Sequence, residues 1–200
     1  MPLTYERRLA RQIIFASCVI ALALFVGGCG KGAGGSSMQL KSPATGDKDM
    51  PVKSGYAFAV TKTFTDTTGK ISTAPSYRVY AANYDLDGGN FAVTLNKPLT
   101  GDDQVRVVFS LVGDQGGNEK TAAKAGTYSA KGDKFMKVED VAIVSREAGT
   151  DNTGWLDRST LTGDAKVTSV SGDTISGEVD LSSGAMSVKG PFTAKILVRK

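Results

Sequence analysis

Residues 105–112 read Val-Arg-Val-Val-Phe-Ser-Leu-Val, and apolar side chains stand at every second position from Val105 to Leu111. A period of two residues is typical of a β-strand that turns one face to a core and the other to water. The same alternation recurs through most of the chain after residue 55 and predicts further strands. Three such sets are Tyr56, Phe58 and Val60; Phe91, Val93 and Leu95; and Phe192, Ala194, Ile196 and Val198.

Glycine and aspartate separate these alternating segments, and helix signals are sparse. The clearest hairpin joins residues 166–170 to 174–181 through Ser171-Gly172-Asp173, where glycine supplies the positive φ of a type II′ turn. The best helical stretch is 118–125, whose apolar residues are only alanines. We therefore predict an all-β domain over residues 55–200, a single antiparallel β-sandwich or closed β-barrel of about eight to ten strands.

The first thirty residues differ in composition from the rest of the chain. Residues 1–12 carry Arg7, Arg8 and Arg11 against one acid, and residues 13–26 form an uncharged apolar run of 14 residues. As a helix, this run would cover only ~21 Å of a ~30 Å hydrocarbon core. A basic start, a short apolar run and small residues at its end are typical of an export signal.

The end of the apolar run, Val26-Gly27-Gly28-Cys29, resembles the lipobox of bacterial lipoproteins. The resemblance implies that residues 1–28 are a signal peptide removed by cleavage before Cys29. It also implies a diacylglycerol and a further acyl chain on Cys29, which together give stable attachment to a membrane. Gly30, rather than aspartate, follows the cysteine and implies the outer membrane. Cys18 is an alternative lipidation site, and an uncleaved membrane helix or a signal cut without lipidation are further alternatives.

The chain after the signal peptide sets the class of protein. Residues 29–54 contain many small and polar residues, and we predict a lipidated N-terminus followed by a flexible tether. Without residues 1–28, 172 residues remain with 21 Lys+Arg and 19 Asp+Glu, a formal net charge of +2. That length suits one domain. So weak a charge, with no Lys/Arg cluster, gives no support to nucleic-acid binding, and we expect no nucleic-acid partner.

The sequence contains no histidine. Histidine is the commonest general base and the commonest neutral metal ligand. No free thiol remains either, since Cys18 lies in the signal peptide and Cys29 is acylated. These absences exclude Ser-His-Asp triads, cysteine nucleophiles and His/Cys zinc sites. We therefore expect no enzyme and no cofactor beyond the covalent lipid on Cys29, with a carboxylate-based hydrolase as the remaining enzymatic alternative.

Asp85, Asp87 and Asn90 form the one weak candidate for a metal site. Acidic residues two positions apart, followed by glycines, can place oxygen ligands around a hard cation such as Ca²⁺. The stretch fails as an EF-hand loop, which would need Asp or Asn at position 89, Gly at 90 and Glu at 96. We interpret these residues as a polar turn and expect no metal.

Aromatic side chains provide the candidate ligand contacts. Trp155 lies in the polar stretch 147–163, and loops of that length are often functional. An exposed tryptophan could stack on a sugar, a peptide or a partner surface, whereas a buried one would fill the core, which is the interpretation we favour. Tyr80 and Tyr84 lie in or beside a predicted strand. They could line the mouth of a barrel or serve as core and edge residues of a sandwich.

Two functions are compatible with these patterns. The first is a lipid-anchored protein of the bacterial cell envelope whose non-enzymatic β domain is structural or contacts an envelope protein. The alternative is a module that binds a small apolar molecule or a glycan, in a barrel interior or at the 147–163 loop. Residues 163–198 resemble, in strand and turn style, the closing strands of small all-β envelope lipoproteins, which implies no activity. A cavity of ~300 Å³ or more would favour the binding module.

Overall fold

The computed structural model describes residues 36–88 and 95–197, and every helix or strand in these ranges is a β-strand. The predicted signal peptide, the lipobox with Cys29 and residues 198–200 lie outside the described residues. Within these ranges there is no helix with the length and apolar character needed to cross a membrane. The strands are β1 (Ser37–Ser42), β2 (Gly46–Pro51), β3 (Ser54–Thr65), β4 (Ile71–Ala82), β5 (Val105–Val112), β6 (Gly126–Ser129), β7 (Lys137–Glu147), β8 (Thr150–Trp155), β9 (Thr162–Ser171), β10 (Thr174–Ser183) and β11 (Met186–Leu197).

Eight of these strands close into a barrel. Hydrogen-bonded neighbours follow the order β10, β9, β6, β7, β5, β4, β3 and β11, and β11 returns to β10 to complete the ring. This arrangement confirms the all-β prediction and decides for a closed barrel over a sandwich. Two pairings in the ring are parallel, β3 with β11 and β6 with β7, whereas the predicted sheet was wholly antiparallel.

The predicted hairpin is present as β9 and β10. Ser171 pairs with Thr174 across a two-residue loop, so each strand is slightly longer than expected. Gly172 has a φ of 57°, whereas Asp173, the second loop residue, is not among the residues with positive φ. That combination suits the predicted type II′ turn, whose twist matches the twist of the flanking strands.

The prediction of a flexible tether reaching residue 54 is wrong for its second half. β1 and β2 form a hairpin there, and β1 pairs with β11, so the hairpin extends the sheet beyond the ring. Met38 and Leu40 alternate with polar residues on β1, Met50 lies opposite Met38, and Val52 follows β2. All four side chains are buried in the main core. Alternation of a few apolar residues therefore outweighs the polar overall composition of this segment.

The polar stretch 147–163 is also not a long loop. β8 pairs with β7 from Glu147 opposite Thr150 up to Ala142 opposite Trp155. The two residues between the strands, Ala148 and Gly149, have φ values of 48° and 81°, which is typical of a type I′ turn. Alanine seldom adopts positive φ, so this turn left no recognisable signal in the sequence.

Residues 118–125 are not helical. The amide of Thr121 donates to the carbonyl oxygen of Asn118 at 2.9 Å, which closes a single turn. Of the alanines that follow, only Ala123 is buried. A segment with so little apolar surface gains little from packing as a helix, and here it forms part of the connection from β5 to β6.

Side chains fill the interior of the barrel. Phe109 of β5 meets Phe192 of β11 edge to face, with 5.2 Å between the ring centroids. Inward-facing residues of the eight strands and the apolar residues of the β1–β2 hairpin form one continuous cluster around this pair. The barrel thus belongs to the small kind whose interior is occupied by its own side chains.

Candidate functional site

A cavity of 310 Å³ lies at one end of the barrel, beneath the connection between β5 and β6. Tyr77 of β4 and Tyr128 of β6 line it together with Pro75 and residues of the connection from Gly113 to Lys124. The rings of both tyrosines are buried. Sequence reasoning expected tyrosines at a barrel mouth, and the structure places these two there.

The hydroxyl groups of both tyrosines are bound by the protein itself. Tyr77 donates to the carbonyl oxygen of Thr121, and Tyr128 donates to that of Lys124 at 2.9 Å. Burial raises the pKa of Tyr77 to about 12 and also raises the pKa of Tyr128. Both groups are therefore neutral at physiological pH, and their main role is to fasten the connection over the end of the barrel.

A second cavity, of 430 Å³, lies on the surface between the β1–β2 hairpin and the β10–β11 hairpin. Its walls carry both signs of charge, and Lys189 donates to Asp180 at 2.7 Å within it. Charges that pair with each other leave little net field to attract an ionic ligand. On β2 the run Asp47-Lys48-Asp49 places charges along an outer strand, a pattern that discourages edge-to-edge pairing with another chain.

Tyr80 and Tyr84 do not line the barrel mouth. Val79 and Ala81 on either side of Tyr80 face the main core, so Tyr80 points outward, beneath the connection 83–104 between β4 and β5. A separate apolar cluster lies there, which we call the outer cluster. It comprises Tyr80, Ala82, Leu86, Leu95 and Val108, with Tyr56, Phe58, Tyr84 and Leu197 packed against it.

The connection 83–104 is fastened to the barrel at both ends. Near its start, Ser54 donates to the carbonyl oxygen of Tyr84 at 2.6 Å and accepts from the amide of Leu86 at 3.0 Å. Near its end, the amide of Leu99 donates to Asp151 at 2.9 Å, and Arg146 donates to the carbonyl oxygen of Leu99. The outer cluster is thus enclosed between the sheet and a connection that is held by side chains of β3, β7 and β8.

Two arginines, Arg78 and Arg106, lie beside the outer cluster. Arg106 is only 6% exposed, and its Nη1 donates to the hydroxyl of Tyr84 and to the carbonyl oxygen of Lys97, each at 3.2 Å. The guanidinium of Arg78 lies 6.0 Å from the ring centroid of Tyr80. Burial raises the pKa of Tyr80 and of Tyr84, and the positive charge of Arg106 opposes that rise at both hydroxyls.

Sequence analysis did not single out either arginine. The available signal was the position of Arg106 on the outward face of β5, a strand whose eight residues are all buried. A strand of a small barrel normally buries only its inward face, so an arginine among outward-facing residues of so apolar a strand suggests a covered outer face.

Trp155 is exposed, with 54% of its surface accessible, so the core interpretation was wrong. The next residue, Leu156, is the one that enters the core. Trp155 faces outward opposite Ala142 of β7, which in turn lies opposite Val108 of β5. Val108 pairs with Tyr80, so Trp155 and Tyr80 lie on one outer face, three strands or ~14 Å apart.

The acidic loop gives no metal site within the described ranges. Asp85 and Asp87 are exposed, and Asn90 lies outside the described residues. Among residues 36–88 and 95–197, no three His, Cys, Asp or Glu side chains come together in an arrangement that could hold a metal ion.

Comparison with known proteins gives no relative for this barrel: no protein family matches the chain, and no curated protein and no solved structure matches it.

Proposed function

We propose that the protein is a lipid-anchored component of the bacterial cell envelope whose barrel is a non-enzymatic structural or protein-interaction domain. The lipid would be attached at Cys29, and the membrane would be the outer membrane. The observation that carries the proposal is the filled interior of the barrel, where Phe109 and Phe192 meet at the centre of a continuous apolar cluster. A barrel filled in this way acts through its outer surface.

The outer surface offers one prominent contact residue. Tryptophan is enriched at the energetic centres of protein interfaces, because it buries a large area and keeps a polar N–H. Trp155 stands exposed on β8, a strand that pairs with β7 and with no other strand in the described part of the chain. We propose this face as the contact for an envelope partner.

Photo-cross-linking in intact cells tests the contact. With a cross-linkable residue in place of Trp155, we expect one discrete adduct that an excess of the unmodified protein competes away. Ile71 is a matched control, since it is 66% exposed and lies at the start of β4, away from β8. The interaction proposal fails if position 155 gives no adduct, or if positions 155 and 71 give the same ones.

The mass of the protein extracted from membranes tests the anchor. We expect the mass of residues 29–200 plus a diacylglycerol, with or without a third acyl chain. Cys29→Ala should accumulate as the uncleaved precursor, because the modified cysteine defines the cleavage site. A wild-type mass without lipid, or normal processing of the alanine variant, would contradict the lipoprotein assignment.

A second candidate function is the binding of a small ligand at the end of the barrel. The 310 Å³ cavity between Tyr77, Tyr128 and the β5–β6 connection reaches the lower end of the ~300–1,000 Å³ range of small-molecule sites. Native mass spectrometry of the extracted protein distinguishes the two candidates. A bound ligand would add mass that is lost on denaturation, whereas covalent lipid would stay.

A further inference from the structure

The two arginines beside the outer cluster carry positive charge where the protein supplies no negative charge. Neither Arg78 nor Arg106 has a carboxylate within ion-pair distance in the described part of the chain. The nearest acid along the connection's far end, Asp151, is bound to Arg146 at 3.0 Å and to the amide of Leu99. Residues 89–94, which lie outside the described ranges, contain no acidic side chain.

Both guanidinium groups also have unused donors. The Nε atoms of Arg78 and Arg106 are buried and have no hydrogen-bond partner. Arg106 is more than nine-tenths buried, and its two hydrogen bonds both come from Nη1. A buried polar atom without a partner costs about 1–3 kcal/mol, and an unpaired buried charge costs more. A bound anion would remove both costs.

The geometry directs these groups toward one place. Arg78 and Arg106 lie on the neighbouring strands β4 and β5, on the same outward face, and Tyr80 lies between their positions in the pairing register. Both positive charges act on the Tyr80 hydroxyl, and Arg106 also donates to the hydroxyl of Tyr84. Two guanidinium groups and two phenol hydroxyls therefore surround a region covered by the connection 83–104.

From this arrangement we propose that Arg78 and Arg106 form a phosphate-binding site beneath the connection 83–104, with the hydroxyls of Tyr80 and Tyr84 as additional donors. A phosphate monoester carries about −1.5 to −2 charges at pH 7, which matches two arginines, and its oxygens accept the forked N–H groups of guanidinium. The surrounding rings and aliphatic side chains would accommodate an apolar group attached to the phosphate. The phosphate could be free or the head group of a lipid. The site is independent of the contact proposed at Trp155.

Thermal unfolding of the full-length protein in detergent tests the site. At matched ionic strength and pH 7.5, inorganic phosphate should raise the unfolding midpoint relative to chloride, and benzoate should not. Arg106→Met and Arg78→Met should each weaken phosphate affinity at least tenfold. The control is Arg158→Met, which removes an exposed arginine paired with Asp140 and should leave the phosphate effect unchanged.

Each outcome decides the proposal. Arg106→Met removes an unpaired buried charge, so its unfolding midpoint in chloride should not fall. If this variant nevertheless fails to fold, Arg78→Met carries the test, because the Arg78 side chain makes no hydrogen bond whose loss could disturb the fold. The proposal is overturned if phosphate has no effect on the wild type, if benzoate acts equally, or if Arg158→Met loses the effect. Binding to vesicles with phosphatidic acid, but not to inorganic phosphate, would assign the phosphate to a lipid.

Discussion

At the scale of single residues, the tyrosines at the end of the barrel make stability depend on pH. The folded-state pKa of Tyr77 is about 12, against 10.0 for the free side chain, because burial disfavours the phenolate. Between these values the unfolded chain loses the proton and the folded protein keeps it. The free energy of unfolding should therefore fall by about 1.4 kcal/mol per pH unit from pH 10 to pH 12 because of this group.

Tyr77→Phe isolates that effect. At pH 7 the variant should be less stable by about 0.5–1.5 kcal/mol, because it loses the hydrogen bond to the Thr121 carbonyl. Its stability should decline less steeply than that of the wild type above pH 10. Urea unfolding at several pH values measures both quantities, and parallel curves for the two proteins would contradict the assignment.

The pair formed by Lys62 and Glu139 is the most buried ion pair in the described part of the chain. The Glu139 side chain is 11% exposed and that of Lys62 31%, and they meet across the outer faces of β4 and β5. Lys62→Met should cost about 1–3 kcal/mol, since it leaves a nearly buried carboxylate unpaired. The double variant Lys62→Met/Glu139→Leu should return to within about 1 kcal/mol of the wild type.

An exposed pair provides the control for this experiment. Lys124 and Asp114 lie 2.7 Å apart with both side chains more than half exposed. Lys124→Met should change the free energy of unfolding by less than about 1 kcal/mol, because surface ion pairs contribute little. Equal losses for Lys62→Met and Lys124→Met in urea unfolding would show that burial does not govern the first pair.

At the scale of elements, the β1–β2 hairpin is an integral part of the fold. Leu40→Ala should cost about 2–5 kcal/mol, whereas Gln39→Ala, at the adjacent exposed position, should cost less than about 0.5 kcal/mol. A chain that begins at Lys53 loses Met38, Leu40, Met50 and Val52 from the core. We expect it to lack the cooperative thermal transition that a chain beginning at Ser36 retains. A cooperative transition of the shorter chain would contradict this role.

The same scale shows how far sequence could predict this fold. The alternation of β5 and the glycine turn between β9 and β10 are local signals, and both led to correct strands. β1 and β8 were missed because their residues look polar in composition and gain their partners, β11 and β7, only in the folded sheet. The pairing of Arg106 with a covered outer face depends on the connection 83–104, which no short stretch of sequence reveals.

At the scale of the whole molecule, the sequence predicted a β domain but left the use of its two surfaces open. The barrel encloses its own side chains, so the tyrosines divide between two places that alternation alone could not distinguish. Tyr77 and Tyr128 lie at the barrel end, and Tyr80 and Tyr84 lie in the outer cluster. The surface proposed for a partner and the site proposed for phosphate both lie on the outer face of β4, β5, β7 and β8.

The pairing of β3 with β11 has a consequence for how the chain folds. Lys195 lies opposite Tyr56, 139 positions earlier in the sequence, and this contact closes the ring. Contacts between such distant positions form slowly, because the entropy of a long loop is lost before the contact is gained. A nascent chain still lacking β11 has an open sheet with no completed core. For a protein exported as proposed, that delay keeps the chain unfolded and able to thread through a translocation pore before the barrel closes on the far side.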